Sequence, residues 1–167
     1  MKTFENVKTE YQRIEGKLYE NVMILDDEGK TLRTLHVPLK VDMKIRDYLE
    51  VIVGASILAI PVAFTEEVWD LGQNLPLVNV FLLSLVGFIF MAGFIYYSAY
   101  RRRIKMFKWE FLKRVLSTFL LAIIVVGLLL TIVNKCPWIT DFDIALKRVL
   151  IGAFPASMSA TVTDSIS

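Results

Sequence analysis

The feature that most constrains this chain is a series of long apolar runs. Two of them, residues 77–97 and 111–133, have the roughly 20 apolar residues that a helix needs to cross the hydrocarbon core of a bilayer. Two further runs, residues 48–69 and 144–166, contain charged residues. Because a lipid-exposed backbone must satisfy its own hydrogen bonds, each run is predicted to be a helix. The sequence therefore predicts an all-α membrane protein with four transmembrane helices, located in the cell membrane.

The composition agrees with a membrane protein and argues against a nucleic-acid partner. Hydrophobic residues make up 55% of the 167 residues, whereas about 45–50% is usual for a soluble domain. The formal net charge is only +2, so the chain as a whole has no strong attraction for nucleic acid. The predicted partner is the lipid bilayer.

Residues 1–47 are polar and charged and are predicted to form a water-facing extension of the helical bundle at 48–167. In this extension "LYENVMIL" and "KTLRTLHVPL" flank the turn sequence "DDEG", which includes Gly29. Two β-favouring runs around an Asp/Gly turn predict a β-hairpin. The following "VDMKIRDYLE" is predicted to be an amphipathic helix that leads into the first span.

The basic residues predict the orientation of the bundle. The connection between the second and third runs contains a dense group of basic residues: Arg101, Arg102, Arg103, Lys105, Lys108, Lys113 and Arg114. The connection at 134–143 has only Lys135, and that at 70–76 has neither lysine nor arginine. The positive-inside rule places the N-terminus and C-terminus in the cytoplasm. Arg101, Arg102, Arg103 and Lys105 are predicted to contact lipid headgroups.

The end of the first run, "AIPVAFTEEVWD", contains acids where an apolar helix should end. Glu66, Glu67 and Asp70 could share one site that binds a cation or a proton. Alternatively, Trp69 marks the membrane surface and the acids simply meet water. An acid inside a bilayer costs several kcal/mol unless it is hydrated or paired, so Asp164 near the end of the fourth run is a further candidate.

The first and fourth runs resemble each other, which predicts an inverted repeat. "AIPVAFTEEVWD" aligns without a gap on "AFPASMSATVTD", with Pro61 on Pro155. Each run has small residues spaced four apart that lead to an acid: Ala55, Ala59, Ala63 and Glu67 in the first, and Gly152, Ala156, Ala160 and Asp164 in the fourth. Many transporters have such repeats, with their substrate site at proline-interrupted helices. Pro61 and Pro155 are therefore predicted to shape the helices around a site.

Pro61, Thr65, Glu67 and Trp69 form a "P-x-x-x-T-x-E-x-W" string, and Phe154–Ser157 reads "FPAS". Both motifs resemble an uncharacterised family of multi-spanning integral membrane proteins. The resemblance covers the chain from about residue 48 onward and implies a helical membrane architecture. It implies no activity, cofactor or catalytic residue.

The sequence shows no motif of a known enzyme class. It lacks a nucleophile elbow, a phosphate loop and a zinc-protease motif, so no enzymatic activity and no cofactor are predicted. His36 is predicted to be a surface residue. Cys136 is the only cysteine, so one chain cannot form a disulfide. Lys147 and Arg148 are predicted to pair with Asp141 or Asp143.

These patterns favour a homo-oligomeric bundle that moves an inorganic cation or protons, with its acidic site at Glu66, Glu67, Asp70 and Asp164. The identity of any metal ion is left open. The alternative function is a membrane-anchored interaction or sensor module, in which the N-terminal hairpin contacts a partner and the helices only anchor it.

Overall fold

The computed structural model describes residues 7–14, 17–25, 31–38, 43–101 and 107–166. The chain divides into two compact units, Met1–Asp42 and Met43–Ser167. The first unit is a small sheet and the second is a bundle of helices, so the protein is mostly helical but not entirely α.

The N-terminal unit is an antiparallel sheet of three strands: β1 (Val7–Ile14), β2 (Lys17–Leu25) and β3 (Thr31–Pro38). The predicted hairpin is confirmed as the β2–β3 pair, although Gly29 in its predicted turn lies outside the described residues. Strand β1 was not predicted. It pairs with the other edge of β2, with Val7 opposite Ile24 and Ile14 opposite Lys17.

The two faces of the sheet differ in polarity. On one face, buried Asn21 donates from Nδ2 to Gln12 Oε1 at 3.0 Å, and its Oδ1 lies 2.6 Å from His36 Nδ1. On the other face, Val22 lies opposite Leu35. Val37, two residues further along β3, is on the same face as Leu35, and both side chains are exposed.

The described residues of the second unit form five α-helices: α1 (Ile45–Ala63), α2 (Glu66–Asn74), α3 (Leu77–Ile95), α4 (Lys108–Ile132) and α5 (Phe142–Ile166). A π-helical turn, Tyr96–Tyr100, continues α3. Among the described residues, α3 with this turn, α4 and α5 are long and apolar enough to cross a membrane. The predicted first span is divided between α1 and α2, whose axes differ in direction by 80°. The two helices add a fourth crossing only if together they form one broken span.

Helix α5 is the centre of the bundle and packs against α1, α2, α3 and α4. Its second half is rich in small residues, including Ala153, Ala156 and Ala160, all of which are fully buried. Small residues let neighbouring backbones approach closely. The interpretation that this half faces helices instead of lipid is therefore confirmed.

Helices α1 and α5 pack closely at Gly54. A Cβ atom at Gly54 would lie 2.7 Å from the Thr163 Cβ and 2.9 Å from the Ala160 Cα, so only glycine fits there. The small residues of both helices join one core that includes Ala55, Ala59 and Ala156. The two stripes thus face each other, but a repeat relation between the two helices is not shown and stays a prediction.

The two prolines have different effects on their helices. Helix α1 ends two residues after Pro61, whereas α5 continues for eleven residues beyond Pro155. The Ser157 hydroxyl donates to the Phe154 carbonyl at 2.9 Å just after the second proline. Proline removes one backbone donor in either case, so neighbouring contacts decide whether the helix stops.

Candidate functional site

The junction between α1 and α2, residues 64–65, forms an elbow at which side chains bind the last carbonyls of α1. The Thr65 hydroxyl donates to the Val62 carbonyl at 2.8 Å, and the Trp69 indole Nε1 donates to the Ala63 carbonyl at 3.1 Å. The last carbonyls of a helix have no partner within the helix. Thr65 and Trp69, which belong to the string that starts at Pro61, therefore stabilise the end of α1.

The predicted acidic residues of this region lie on the outer face of α2. Glu66, Glu67 and Asp70 are exposed, while Val68 and Gly72 are buried. No described side chain forms an ion pair with the three acids. Neighbouring helices of the same chain do not shield them in the described part of the structure, so a cation or proton site at these residues stays a prediction.

Arg148 and Lys135 hold α2 against the bundle. The Arg148 guanidinium donates from Nε to the Trp69 carbonyl at 3.1 Å and from Nη1 to the Lys135 carbonyl at 2.7 Å. The Lys135 ammonium lies 3.8 Å from the centre of the Trp69 ring, within the range of a cation–π contact. Three segments of the chain therefore meet at Trp69.

The predicted local pairing of Lys147 is present. Its Nζ lies 2.5 Å from Asp143 Oδ2, one turn earlier on α5. Arg148 instead binds the two backbone carbonyls and is not found paired with Asp141 or Asp143 among the described residues. A carbonyl offers an arginine a hydrogen bond without a second charge.

A buried ion pair lies where α4 begins and α5 ends. The Arg114 guanidinium donates from Nε to Asp164 Oδ2 at 2.9 Å and from Nη2 to Asp164 Oδ1 at 2.7 Å. The side chains are only 2% and 5% exposed. This bidentate geometry is the strongest form of an arginine–carboxylate pair. Asp164, one of the predicted site residues, is therefore held by Arg114, the last residue of the predicted basic group.

Two further acids from the first turns of α1 complete this site, the charge cluster of Asp47, Glu50, Arg114 and Asp164. One carboxylate oxygen from each of the three acids lies within 4.8 Å of the other two. Asp47 is buried and accepts a hydrogen bond from the Lys44 backbone N–H at 3.0 Å. Glu50 Oε1 accepts from the exposed Arg46 Nε at 2.8 Å, whereas its buried Oε2 has no hydrogen-bond partner in the described part of the chain.

The charge balance of this site determines what it can bind. Among the described residues, its three carboxylates are met by the two guanidinium groups of Arg46 and Arg114, so that these residues together carry one excess negative charge. Carboxylate oxygens held this close together are also the kind of ligand that hard cations prefer. A single proton or a monovalent cation would balance the cluster.

Sequence reasoning found only one member of this site. Asp47 and Glu50 are spaced three apart at the start of an amphipathic helix, and such spacing puts both acids on one face. Arg114 is the last residue of the basic group and the seventh residue of α4. An arginine inside an apolar helix needs a partner, so the place of Arg114 within its apolar run was the sequence signal for a buried ion pair.

Of the four predicted headgroup contacts, only Arg101 is described; Arg102, Arg103 and Lys105 lie outside the described residues. The Arg101 guanidinium carbon lies 5.0 Å from the centre of the Tyr97 ring. Both side chains are exposed. Arg101 is therefore available to the membrane surface, at the same end of the bundle as the charge cluster.

Cys136 is expected to react slowly with thiol reagents at neutral pH. It lies between α4 and α5, is buried, and places its Sγ 3.9 Å from the Ala145 carbonyl. Burial raises the pKa of the Cys136 thiol, against a smaller opposing effect of Arg148, and only the thiolate reacts. The rate of maleimide labelling in mild detergent measures this.

A matched control moves the cysteine to a nearby exposed position. In a Cys136→Ser background, Ile139→Cys places the thiol where the side chain is fully exposed. We expect fast labelling of this variant, and equal rates for both thiols only after denaturation in SDS. Equal rates in the folded proteins would contradict the burial of Cys136.

Comparison with known proteins gives one match. A family model described as "Putative integral membrane protein (DUF2391)" matches residues 47–166. These residues include Asp47, Glu50, Arg114 and Asp164, so the whole charge cluster lies within the match. No curated protein and no solved structure matches the chain.

Proposed function

The chain belongs to this family of integral membrane proteins, and on that premise we propose that it moves a proton or a monovalent cation across the bilayer. The family that the string at Pro61–Trp69 and the "FPAS" motif indicated is thereby confirmed. The proposed binding site is the charge cluster. The single observation that carries the proposal is the set of three carboxylates within 4.8 Å of one another, one of which is already bound by Arg114.

The unpartnered oxygen of Glu50 supports an exchangeable occupant. Asp164 is held at both oxygens by Arg114, and Asp47 by a backbone N–H, so these acids have fixed partners. Glu50 Oε2 is buried and has none among the described residues. A buried polar atom without a partner is costly, and an added proton or cation would relieve that cost.

The packing of the bundle supports a homo-oligomer. Between the charge cluster and the elbow, the space between α1 and α5 is filled by fully buried alanines, among them Ala55, Ala59 and Ala156. This close packing leaves no room for a path between these two helices in the structure described. A route through the membrane is therefore proposed to form with other copies of the chain, and the exposed acids Glu66 and Glu67 would lie at its other end.

Proton and cation flux into proteoliposomes tests this proposal. Glu50→Gln removes the charge while retaining the shape of the side chain, and we expect flux to fall to that of liposomes without protein. Glu110→Gln is the matched control, because Glu110 lies near the start of α4 and outside the cluster. It should leave flux unchanged.

A second pair of variants separates the two candidate acid sites. Glu66→Gln with Glu67→Gln should reduce flux only if the exposed acids of α2 also contribute. Wild-type flux for Glu50→Gln would refute the charge cluster as the site. Loss of flux in the α2 double variant alone would place the site at α2.

The second candidate function, an interaction or sensor module, is favoured by the uncovered apolar face of the N-terminal sheet. Leu35 and Val37 are 41% and 43% exposed within their own unit, and a small sheet needs cover for its apolar face. Deletion of residues 1–40 distinguishes the candidates. It should leave ion flux intact if the bundle transports, and should abolish partner binding if the sheet is the functional part.

A further inference from the structure

Helices α3 and α4 diverge and leave an open apolar groove between them. Six residues line it: Phe81, Ser84, Leu85 and Phe88 from α3, and Leu116 and Phe119 from α4. Its volume is about 440 Å³, within the range of small-molecule sites. Phe88 and Phe119 meet edge to face at 5.5 Å between ring centres. The groove therefore has a rigid aromatic wall inside the predicted membrane region.

Exposed basic and aromatic side chains lie directly above this groove, at the start of α4. Lys108 and Lys113 are exposed, and no hydrogen bond or ion pair of either is found among the described residues. Trp109 is 71% exposed. Tryptophan typically lies at the level of lipid headgroups, and Arg101 over the Tyr97 ring adds a third cation at the same end.

The two lysines lie on opposite sides of the α4 face that lines the groove, because Lys108 precedes Phe119 by eleven residues, about three turns, and Lys113 precedes Leu116 by three. Trp109, Lys113 and Leu116 are spaced four and three apart, which aligns them along the helix. Leu116 lies about 5 Å below Lys113 along the axis, and Phe119 about 9 Å below it. Phe88 contacts Phe119 and so lies at about the same depth. Phe81 is seven residues from Phe88 on α3, about 10 Å deeper. The groove thus extends from about 5 to about 20 Å below the lysine.

We propose that this surface binds one anionic phospholipid, with its phosphate at Lys113 and Lys108 and one acyl chain in the groove. The depth of the groove matches a single leaflet, which is about 15 Å of a hydrocarbon core of about 30 Å. Lysine ammonium groups complement the phosphate charge, and the Phe and Leu walls complement the chain.

The lining favours lipid over a helix from a second copy. Helices pack together in membranes through small residues that let backbones approach. Ser84 is the only small residue among those that line the groove, and its Oγ is buried. The other five lining side chains are bulky and apolar, as suits a flexible acyl chain.

Native mass spectrometry of the detergent-solubilised protein with added phosphatidylglycerol or phosphatidylcholine tests the proposal. We expect one phosphatidylglycerol to remain bound, more tightly than phosphatidylcholine. Lys108→Gln with Lys113→Gln should weaken phosphatidylglycerol binding about 30-fold, because each lysine near an anionic headgroup contributes a factor of about five. Lys8→Gln with Arg33→Gln, on exposed residues of the sheet, removes the same charge and should have no effect.

A second pair of variants tests the groove. Leu85→Trp should fill it and weaken the binding of both lipids. Leu82→Trp is the control, because Leu82 is 54% exposed against 53% for Leu85 but does not line the groove. Equal retention of the two lipids by the wild type, or unchanged phosphatidylglycerol binding in the lysine double variant, would overturn the headgroup site. Equal effects of the two tryptophans would overturn the groove, and a second copy bound there would appear as a dimer lost only in Leu85→Trp.

Discussion

Replacing Arg114 with methionine is expected to destabilise the protein by about 3–5 kcal/mol, the typical cost of removing one partner from a buried ion pair. Asp164 would keep its burial beside Asp47 and Glu50 but lose both of its 2.7–2.9 Å hydrogen bonds from Arg114. Of the two guanidinium groups that meet the three carboxylates, only the exposed one of Arg46, at Glu50, would then remain. The free energy of unfolding, measured by SDS titration of the protein in mixed micelles, checks this.

The control removes both charges. Arg114→Met with Asp164→Leu replaces the ion pair by apolar side chains, and such replacements of whole pairs are often neutral. We expect the double variant to recover most of the stability lost in Arg114→Met, as the coupling between two contacting residues requires. A single variant as stable as the wild type would show that the pair contributes nothing. A double variant as unstable as the single would assign the loss to packing instead of charge.

Replacing Gly54 with alanine is expected to force α1 away from α5. The added Cβ would lie 2.7 Å from the Thr163 Cβ and 2.9 Å from the backbone Cα of Ala160, both closer than such contacts allow. Inserting a methyl into a packed core typically costs about 1–3 kcal/mol, and here the obstacle includes backbone. The same SDS titration measures the loss.

Gly93 supplies the matched control for this change. It lies in α3, and an added Cβ there would meet nothing within 4 Å. Gly93→Ala should therefore be neutral or stabilise the helix by up to about 1 kcal/mol, the difference in helix propensity between the two residues. Equal losses for Gly54→Ala and Gly93→Ala would contradict the close contact of α1 with α5.

The apolar runs predicted the helices of the bundle because membrane helices are long and leave few alternatives. The second and third runs correspond to α3 and α4, and the fourth corresponds to α5. Pro61 indicated an interruption, but the 80° bend that follows it depends on Thr65, Trp69 and Arg148 acting together. Strand β1 was missed because "VKTEYQRI" has few apolar residues, and its pairing with β2 supplies what its own pattern lacks.

The site was harder to predict than the helices. Asp47, Arg114 and Asp164 lie far apart in the sequence and meet only because α1 and α4 begin at the end of the bundle where α5 finishes. Arg114 belongs to the basic group that predicts orientation. Its place inside an apolar run indicates that it needs a partner, but a single sequence does not say which acid that partner is. The acids of α2 were prominent because they are adjacent, yet the bend leaves them on the outer face.

Three contacts at Trp69 fix the position of α2 in the bundle. Its indole N–H donates to the Ala63 carbonyl at the end of α1, its ring contacts the Lys135 ammonium, and its carbonyl accepts from Arg148. Three separate parts of the chain therefore contact this one residue. A slight tilt of α2 would strain all three contacts together, and a larger one would release them together. The position of the short helix is therefore set at one residue by the end of α1, by Lys135 and by Arg148.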